Sequence, residues 1–221
     1  EVAADFGYQF GPYAEGRLGL GYGYANLDVT TGELELADDH IRTVGWTTRW
    51  SLDRLDSVDV PRDGVFGRLS VFGALDALGS EDEFTRVEFG LGDWERRGGS
   101  VFFATLQGGL SPGGDLPIYA QFTVGGLLSL SGFSDRELLG QDYGVLRAGY
   151  YRQILGSKFY AGGWLEAGEV WDTADGFDTD ELIYTGTLAM LWDSQLGPVI
   201  LAYGRADVGD DKVYLAIGRT F

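Results

Sequence analysis

Apolar residues alternate with small or polar residues along most of this chain, and turn-forming residues separate the alternating segments. A period of two is typical of β-strands, because successive side chains of a strand point to opposite faces of its sheet. The pattern predicts eleven strands, at 2–10, 15–30, 40–52, 65–78, 84–96, 100–110, 143–154, 158–171, 183–193, 197–207 and 212–221. A twelfth segment, 117–130, alternates in a similar way. The sequence therefore predicts an all-β protein.

The connections between these strands alternate in length. Hairpin-sized turns such as Arg97-Gly98-Gly99 are followed along the chain by longer connections, and 53–64 is a long exception among the short ones. The longer connections are 31–39, 79–83, 111–142 and 172–182. Membrane β-barrels show this asymmetry, with short turns at one end and long loops at the other. We therefore predict a transmembrane antiparallel β-barrel of 11–12 strands.

The last predicted strand tests this assignment, because its two faces differ. One face carries Val213, Leu215, Ile217 and Phe221, and the other carries Tyr214, Ala216, Gly218 and Thr220. The first set suits lipid and the second suits an enclosed interior. A soluble β-sandwich uses the same alternation, but segments 15–30 and 84–96 are longer than its usual strands of about 5–6 residues.

Composition narrows the class of protein. The chain has 36 Gly and no Cys, so a disulfide framework and a cysteine metal site are excluded. No apolar run approaches the ~18 residues of a membrane helix, and no signal peptide opens the chain, which suggests a mature fragment. The net charge of −18 repels a phosphate backbone, so nucleic acid is not an expected partner.

Several short motifs occur in a defined order. The sequence Tyr-Ala-Gln-Phe-Thr-Val-Gly-Gly fills 119–126, and Leu-Ser-Gly-Phe follows at 130–133. Further motifs lie at 59–64 (Asp-Val-Pro-Arg-Asp-Gly), 164–171 (Trp-Leu-Glu-Ala-Gly-Glu-Val-Trp) and 217–221 (Ile-Gly-Arg-Thr-Phe). Together they resemble the BamA/TamA superfamily of outer-membrane assembly and secretion barrels. In that family the sixth extracellular loop folds back into the lumen, and its tip reads Val-Arg-Gly-Phe or Val-Arg-Gly-Tyr.

The resemblance implies three groups of site residues. The first group holds loop 111–142 inside the barrel and comprises Gly125, Gly126, Ser131, Gly132 and Phe133. The second group lines the lumenal wall and comprises Glu166, Gly168, Arg147 and Arg152. The third is the C-terminal β-signal, comprising Ile217, Gly218 and Phe221, through which the barrel-assembly machinery would recognise the chain.

This chain departs from the family pattern at the loop tip, where Ser131 replaces the arginine. The wall carboxylate that the arginine pairs with corresponds to Glu166. A carboxylate buried without a cation lacks the charge that offsets its desolvation. We therefore predict that Arg136, Arg147 or Arg152 forms an ion pair with Glu166.

The resemblance also implies a function. The family barrel has sixteen strands, so residues 1–221 would be one outer-membrane barrel domain, either the C-terminal part of a longer protein or a smaller relative. The Leu-Ser-Gly-Phe tip, Glu-Leu-Leu-Gly at 137–140 and Tyr-Tyr-Arg at 150–152 are most similar to the patatin-like autotransporters of the PlpD type, which belong to type V secretion. The implied role is translocation or anchoring of an N-terminal patatin-like phospholipase passenger. Implied partners are outer-membrane lipid, lipopolysaccharide, the barrel-assembly machinery and the passenger. The resemblance implies no cofactor, and it leaves open whether the protein forms a homo-oligomer.

Three alternatives remain: a passive outer-membrane pore, an outer-membrane assembly barrel and an outer-membrane lipase. Neither Ser129 nor Ser131 lies in a G-x-S-x-G elbow, and the single histidine, His40, is expected at an exposed loop end. The prediction is therefore a protein without enzymatic activity. Carboxylates in a long acidic loop could bind Ca²⁺, but their spacing is not that of an EF-hand and no metal site is predicted. They are Asp172, Asp175, Asp178, Asp180 and Glu181.

Overall fold

The computed structural model describes residues 2–26, 40–156, 158–173, 175–195, 197–208 and 211–218. Eleven strands form one antiparallel sheet, and two strands of three residues each form a separate ribbon. The strands of the sheet are β1 (Val2–Gln9), β2 (Ala14–Asn26), β3 (His40–Asp53), β4 (Gly64–Ala74), β5 (Phe84–Arg97), β6 (Ser100–Leu110), β9 (Asp142–Leu155), β10 (Phe159–Trp171), β11 (Ile183–Ser194), β12 (Gly197–Ala206) and β13 (Asp211–Ile217). The ribbon pairs β7 (Phe122–Val124) with β8 (Leu138–Gly140).

All eleven strands of the sheet were predicted, and the structure confirms each of them within the described residues; the predicted strand positions 27–30 and 219–221 lie outside those residues. The predicted twelfth strand at 117–130 is wrong, because only Phe122–Val124 is extended and paired. The backbone φ angles of Gly125 and Gly126 are 128° and 109°, and a strand cannot continue through such values. Segment 117–130 therefore leaves the wall instead of crossing the membrane.

The order of strands in the sheet follows the chain, except that β6 pairs directly with β9. Residues 111–141, which include the β7–β8 ribbon, are therefore an insertion between two wall strands, and we call them the inner loop. In the described part of the chain, β1 pairs only with β2 and β13 pairs only with β12. The sheet is thus a partial barrel with two open edges, and its eleven strands do not reach the even number expected of a closed barrel.

The two faces of the sheet have opposite character. Large apolar side chains cover the outer face, and Phe6, Leu188 and Val213 are 78%, 72% and 73% exposed. The last strand follows its predicted division as far as residue 218, with Leu215 and Ile217 exposed outside and Tyr214 turned inside. An outer surface of this kind is stable in hydrocarbon, not in water. The soluble sandwich interpretation is therefore wrong, since one curved sheet has no stacked partner.

Among the described residues, no helix has the length and apolarity needed to span a membrane.

The principal core lies on the inner face, where residues of β5 to β13 meet. Its buried members are Val60, Trp94, Val101, Tyr151, Tyr160, Trp164, Ala189, Leu191, Ile200 and Ala202. Leu127 and Leu128 of the inner loop pack against the same cluster. Wall residues on opposite sides of the bend thus contact common neighbours, which holds the sheet curved.

Candidate functional site in the barrel interior

The inner loop is fastened at the point where it leaves and re-enters the wall. Asp142, the first residue of β9, accepts hydrogen bonds from the backbone N–H and the hydroxyl of Ser111, at 2.6 and 2.9 Å. The side chain of Gln141 bonds both the N–H and the carbonyl of Leu116, at 2.6 and 3.0 Å. The two ends of the loop are therefore tied to each other by buried polar groups.

Beyond this neck, apolar side chains of the loop pack against the inner wall. Phe122 is 1% exposed and packs with Ala74 and Phe84 of the neighbouring strands. Val124, Leu130 and Phe133 form a second buried cluster with wall residues. Each buried side chain of this size contributes about 1.5–3 kcal/mol relative to exposure. The loop is therefore a packed part of the interior, as expected for the inward-folded loop of the predicted barrel.

Glycines allow the loop to fold tightly and to approach the wall. A Cβ on Gly125 would lie 2.4 Å from the carbonyl oxygen of Ser134, inside the loop itself. Gly132 has a φ of 120°, and a Cβ there would lie 2.6 Å from the backbone nitrogen of Ala206 on β12. From the wall, Gly168 faces the Leu130 side chain and Gly204 faces Ser131. Small residues on both sides therefore let the loop tip touch the wall backbone.

Glu166 binds the tip of the loop. Its Oε2 accepts hydrogen bonds from the backbone N–H of Ser131 at 2.7 Å and from the Ser131 hydroxyl, and also from the Thr185 hydroxyl of β11 at 2.7 Å. Glu166 is 2% exposed and Ser131 is fully buried. Hydrogen bonds to an ionised, buried acceptor are among the stronger contacts in proteins. The carboxylate thus joins the loop tip to two adjacent wall strands.

The predicted ion pair of Glu166 is not formed: in the described part of the chain, no ion pair within 4.0 Å includes this residue. Arg147 lies directly opposite Glu166 in the register of β9 and β10, but its guanidinium donates to the Leu128 carbonyl at 3.0 Å. Arg136 is at the loop surface with its side chain 77% exposed. Arg152 alternates with the buried Tyr151 and points outward, so its predicted place on the lumenal wall is wrong.

Ser131 explains why a cation is not required at the tip. A serine supplies a hydroxyl donor beside its own backbone N–H, so one carboxylate oxygen receives two donors from a single residue. Arg147 still places a positive charge near the carboxylate from the opposite strand. Hydrogen bonds from Ser131 thus take the place of the tip arginine that the resemblance led us to expect.

Sequence reasoning missed three residues that hold the tip. Tyr214 accepts a hydrogen bond from the Gly132 N–H at 3.0 Å and donates one to the Phe133 carbonyl at 2.7 Å. Trp164 donates from its indole nitrogen to the Ser131 hydroxyl at 3.3 Å. The Thr185 hydroxyl donates to Glu166 at 2.7 Å. The alternation along β13 already placed Tyr214 on the inner face, whereas no pattern singled out Thr185. Their contact with the loop could not be predicted, because it depends on how far the loop reaches across the interior.

A second connection enters the interior from the opposite end. Residues 54–63 join β3 to β4, and Val60 and Pro61 are buried against the aromatic core formed by Trp94, Tyr151 and Trp164. Only about 20 Å³ of free space remains between this connection, the core and Leu128 of the inner loop. The 54–63 connection was predicted only as an unusually long turn. Two insertions from opposite ends therefore fill the interior between β5 and β12.

The remaining predicted residues lie away from this contact. Ile217 is exposed on the outer face and Gly218 has a φ of 101°, while Phe221 lies outside the described residues. The side chain of His40 also lies outside the described part. Among the residues that the structure describes, no three carboxylates or histidines are grouped for a metal ion. Asp178 of the acidic loop instead donates its backbone N–H to Glu169 at 3.1 Å.

Comparison with one solved structure supports this fold. The chain is similar to BamA from Haemophilus ducreyi lacking POTRA domains 1–3, with a TM-score of 0.77 and 14% identity, over 96% of this chain and 52% of that chain. CdiB from Acinetobacter baumannii gives a TM-score of 0.41 and 14% identity, over 93% of this chain and 46% of that chain. The chain thus spans about half the length of both structures. No curated protein matches the sequence.

A match to a family domain decides the relationship. The Omp85 superfamily domain matches residues 1–221, the whole of the sequence. The resemblance inferred from the loop and strand motifs is thereby confirmed at the level of the superfamily. The chain belongs to the Omp85 superfamily, and it is a β-barrel protein of the bacterial outer membrane.

Proposed function

We propose that this chain forms the membrane-embedded part of a polypeptide translocator whose interior is closed at rest by the inner loop. The observation that carries the proposal is the attachment of the loop tip: Ser131 is fully buried and donates twice to Glu166 on the wall. A loop that only covered the mouth of a pore would not need buried polar contacts deep in the interior. Such contacts suit a plug that holds its position until it is displaced.

We further propose that the passenger is a patatin-like phospholipase attached to the same protein. The support is the Leu-Ser-Gly-Phe tip at 130–133, which carries serine in place of the arginine of other members of the family. The Ser131–Glu166 contact gives this replacement a structural role. The barrel would then anchor the passenger in the outer membrane and mediate its passage.

The open edges of the sheet offer a place for a gate. Strand β1 has one neighbour and β13 has one neighbour among the described strands, so each edge carries backbone groups that the sheet does not pair. Unpaired groups are costly in hydrocarbon. We therefore propose that both edges are paired in the assembled barrel and that transport opens the wall along such a strand–strand contact.

Planar-bilayer conductance and surface display of the passenger test this function together. The complete protein should conduct poorly, and deletion of residues 112–140 should open steady channels, because the inner loop fills the interior. Surface protease should reach the passenger in cells with the intact protein. A passive pore would instead conduct steadily before the deletion. An assembly barrel would leave the passenger unaffected, and its depletion would lower the amounts of many outer-membrane proteins.

The remaining partners follow from the same proposal. The exposed apolar belt would contact outer-membrane lipid and lipopolysaccharide, and the terminal residues Gly218 and Phe221 would be recognised by the barrel-assembly machinery. A homo-oligomer is compatible with this arrangement. The role is not catalytic. Measurable esterase activity of the complete protein that survives removal of the passenger would favour an outer-membrane lipase instead.

A further inference from the structure

Four arginines lie on the inner face of adjacent strands; three border space that neither inserted loop fills, and the fourth, Arg86, lies at the edge of the inner loop with its guanidinium over the Phe122 ring at 4.4 Å. They are Arg17 of β2, Arg49 of β3, Arg68 of β4 and Arg86 of β5, and we call this surface the arginine groove. Two cavities of about 510 and 410 Å³ line up along it. The cavities share Arg49, Ser70 and Glu88, so the groove is continuous.

The register of the strands spaces these arginines along the barrel. Arg17 and Arg49 face each other at one level, which Ser70 and Glu88 continue across β4 and β5. Arg68 lies two residues below this level, and Arg86 lies two residues above it. Two residues of a strand rise about 7 Å. The four arginine side chains therefore leave the wall at three levels about 7 Å apart, which is the spacing of same-face side chains along an extended polypeptide.

The charges of the groove are only partly matched. Arg17 and Arg49 are like charges on directly opposed residues, an arrangement that is unfavourable alone, and Asp5 bonds both of them. Glu15 pairs with Arg17, and Glu88 pairs with Arg86 at 3.2 Å. Arg68 has no carboxylate within 4.0 Å in the described part of the chain.

Free hydrogen-bond donors remain in the groove. A guanidinium has five N–H donors, and among the described residues one donor of Arg49 is engaged by a carboxylate. The side chains of Arg17 and Arg49 are 47% and 49% exposed. The chain as a whole carries a net charge of −18, which repels anions elsewhere on its surface. The groove is therefore a cationic surface with unused donors on an otherwise acidic protein.

We propose that the arginine groove binds acidic segments of an extended polypeptide. This inference rests on the proposed function, because the groove is the path that the inner loop leaves unfilled. A polypeptide with acidic side chains at alternate positions would place one carboxylate at each level of the groove. A compact anion such as phosphate would engage one level only. Lipid head groups are less suited, because the groove faces away from the apolar outer belt.

Fluorescence anisotropy with the complete protein in neutral detergent tests the proposal. The probe is a labelled decapeptide of alternating Asp and Ser, compared with an Asn-Ser decapeptide and with a decapeptide of five consecutive Asp and five Ser. We expect the alternating acidic peptide to bind most tightly and to weaken about tenfold between 50 and 500 mM salt. Arg68→Gln should weaken its binding about threefold to fivefold, and Arg68→Glu about tenfold or more.

Arg136→Gln is the matched control, since Arg136 is exposed on the inner loop and lies outside the groove. It should leave peptide affinity unchanged. Equal binding of the acidic and neutral peptides, or equal losses in the Arg68 and Arg136 variants, would overturn the proposal. If inorganic phosphate at equal charge displaces the labelled peptide, the groove is a site for compact anions. If lipid A micelles alone displace it, the groove is a lipid site. Either result rejects the proposal that the groove binds a polypeptide.

Surface display of the passenger distinguishes a failure of this inference from a failure of the proposed function. If the unmodified protein displays no passenger, the proposed translocation is wrong, whatever the peptide does. If the passenger is displayed while the acidic peptide does not bind, translocation stands and the groove is not its contact surface. When both are observed, Arg68→Glu should lower display at unchanged amounts of folded protein, and Arg136→Gln should not.

Discussion

The inner face of this barrel differs between its two halves. From β6 to β12 its side chains are almost inaccessible, and Val101, Leu191 and Ile200 are 2%, 5% and 1% exposed. From β1 to β4 the inner face is lined by charged side chains such as Arg17 and Arg49, which remain about half exposed. The half from β6 to β12 is covered by two inserted loops, and the half from β1 to β4 borders open cavities.

This difference shows how one pattern of alternation supports two kinds of interior. Both halves present apolar residues to the outside at every second position. The inner positions are free to vary, so aromatic and small residues occur where a loop must dock, and paired charges line the open cavities. The packed half stabilises the position of the inner loop, and the open half is available to a ligand.

The largest contrast should come from two carboxylates, Glu166 in the packed half and Glu88 in the groove. Glu166→Ala leaves the Ser131 N–H and the Thr185 hydroxyl without their acceptor in a buried site, so the free energy of unfolding should fall by about 3–5 kcal/mol. Glu88→Ala removes an ion pair whose carboxylate is 43% exposed and should cost no more than about 1 kcal/mol. Urea unfolding in detergent measures both, and similar losses would erase the distinction between the halves.

Two glycines of the inner loop separate backbone strain from contact with the wall. Gly132→Ala combines a φ of 120° with a Cβ 2.6 Å from the Ala206 nitrogen, and we expect a loss of about 2–4 kcal/mol with raised bilayer conductance. Gly113→Ala has a φ of 100° but no atom within 4 Å of the new Cβ. It should cost only about 1–2 kcal/mol, through strain, with unchanged conductance. Equal conductance in the two variants would mean that the tip does not close the interior.

Two tyrosines on adjacent strands test the reach of the loop tip. Tyr214→Phe on β13 removes both hydrogen bonds to the tip, from Gly132 and to Phe133, and should destabilise the fold by about 1–2 kcal/mol. Tyr203→Phe on β12 changes an exposed side chain on the outer face and should stay within about 0.5 kcal/mol. Thermal unfolding followed by gel mobility measures the difference. A neutral Tyr214→Phe would show that packing alone holds the tip.

The wall of this protein was predictable from its sequence, and the details of its interior were not. Alternation fixed the position of each strand, since a shift of one residue in a strand such as β13 would turn Val213 and Leu215 into the interior. The tip contact between Ser131 and Glu166 joins residues 35 positions apart, and resemblance to a family pointed to Glu166 but predicted an arginine as its partner. The ion pair predicted for Glu166 was wrong because the local donors of Ser131 and Thr185 replace a cation. Pattern cannot reveal such a replacement, nor the entry of Val60, because both depend on how the loops fold in three dimensions.

The smallest expected effect concerns Tyr119, where the inner loop borders the groove. Burial, together with a hydrogen bond that the hydroxyl donates to Asp82 at 2.6 Å, raises the pKa of Tyr119 to about 12. An unfolded chain releases this proton near pH 10. The folded state therefore binds more protons between pH 10 and 12, and its stability falls as the pH rises through that range. Because Tyr119 is only partly buried, the loss should be about 1 kcal/mol, less than the full shift implies. Tyr119→Phe should remove this part of the pH dependence, and Tyr184→Phe on the outer face should not. Unfolding curves at pH 9 and pH 11.5 would show it, and identical slopes for the two variants would mean that Tyr119 does not hold the loop through Asp82.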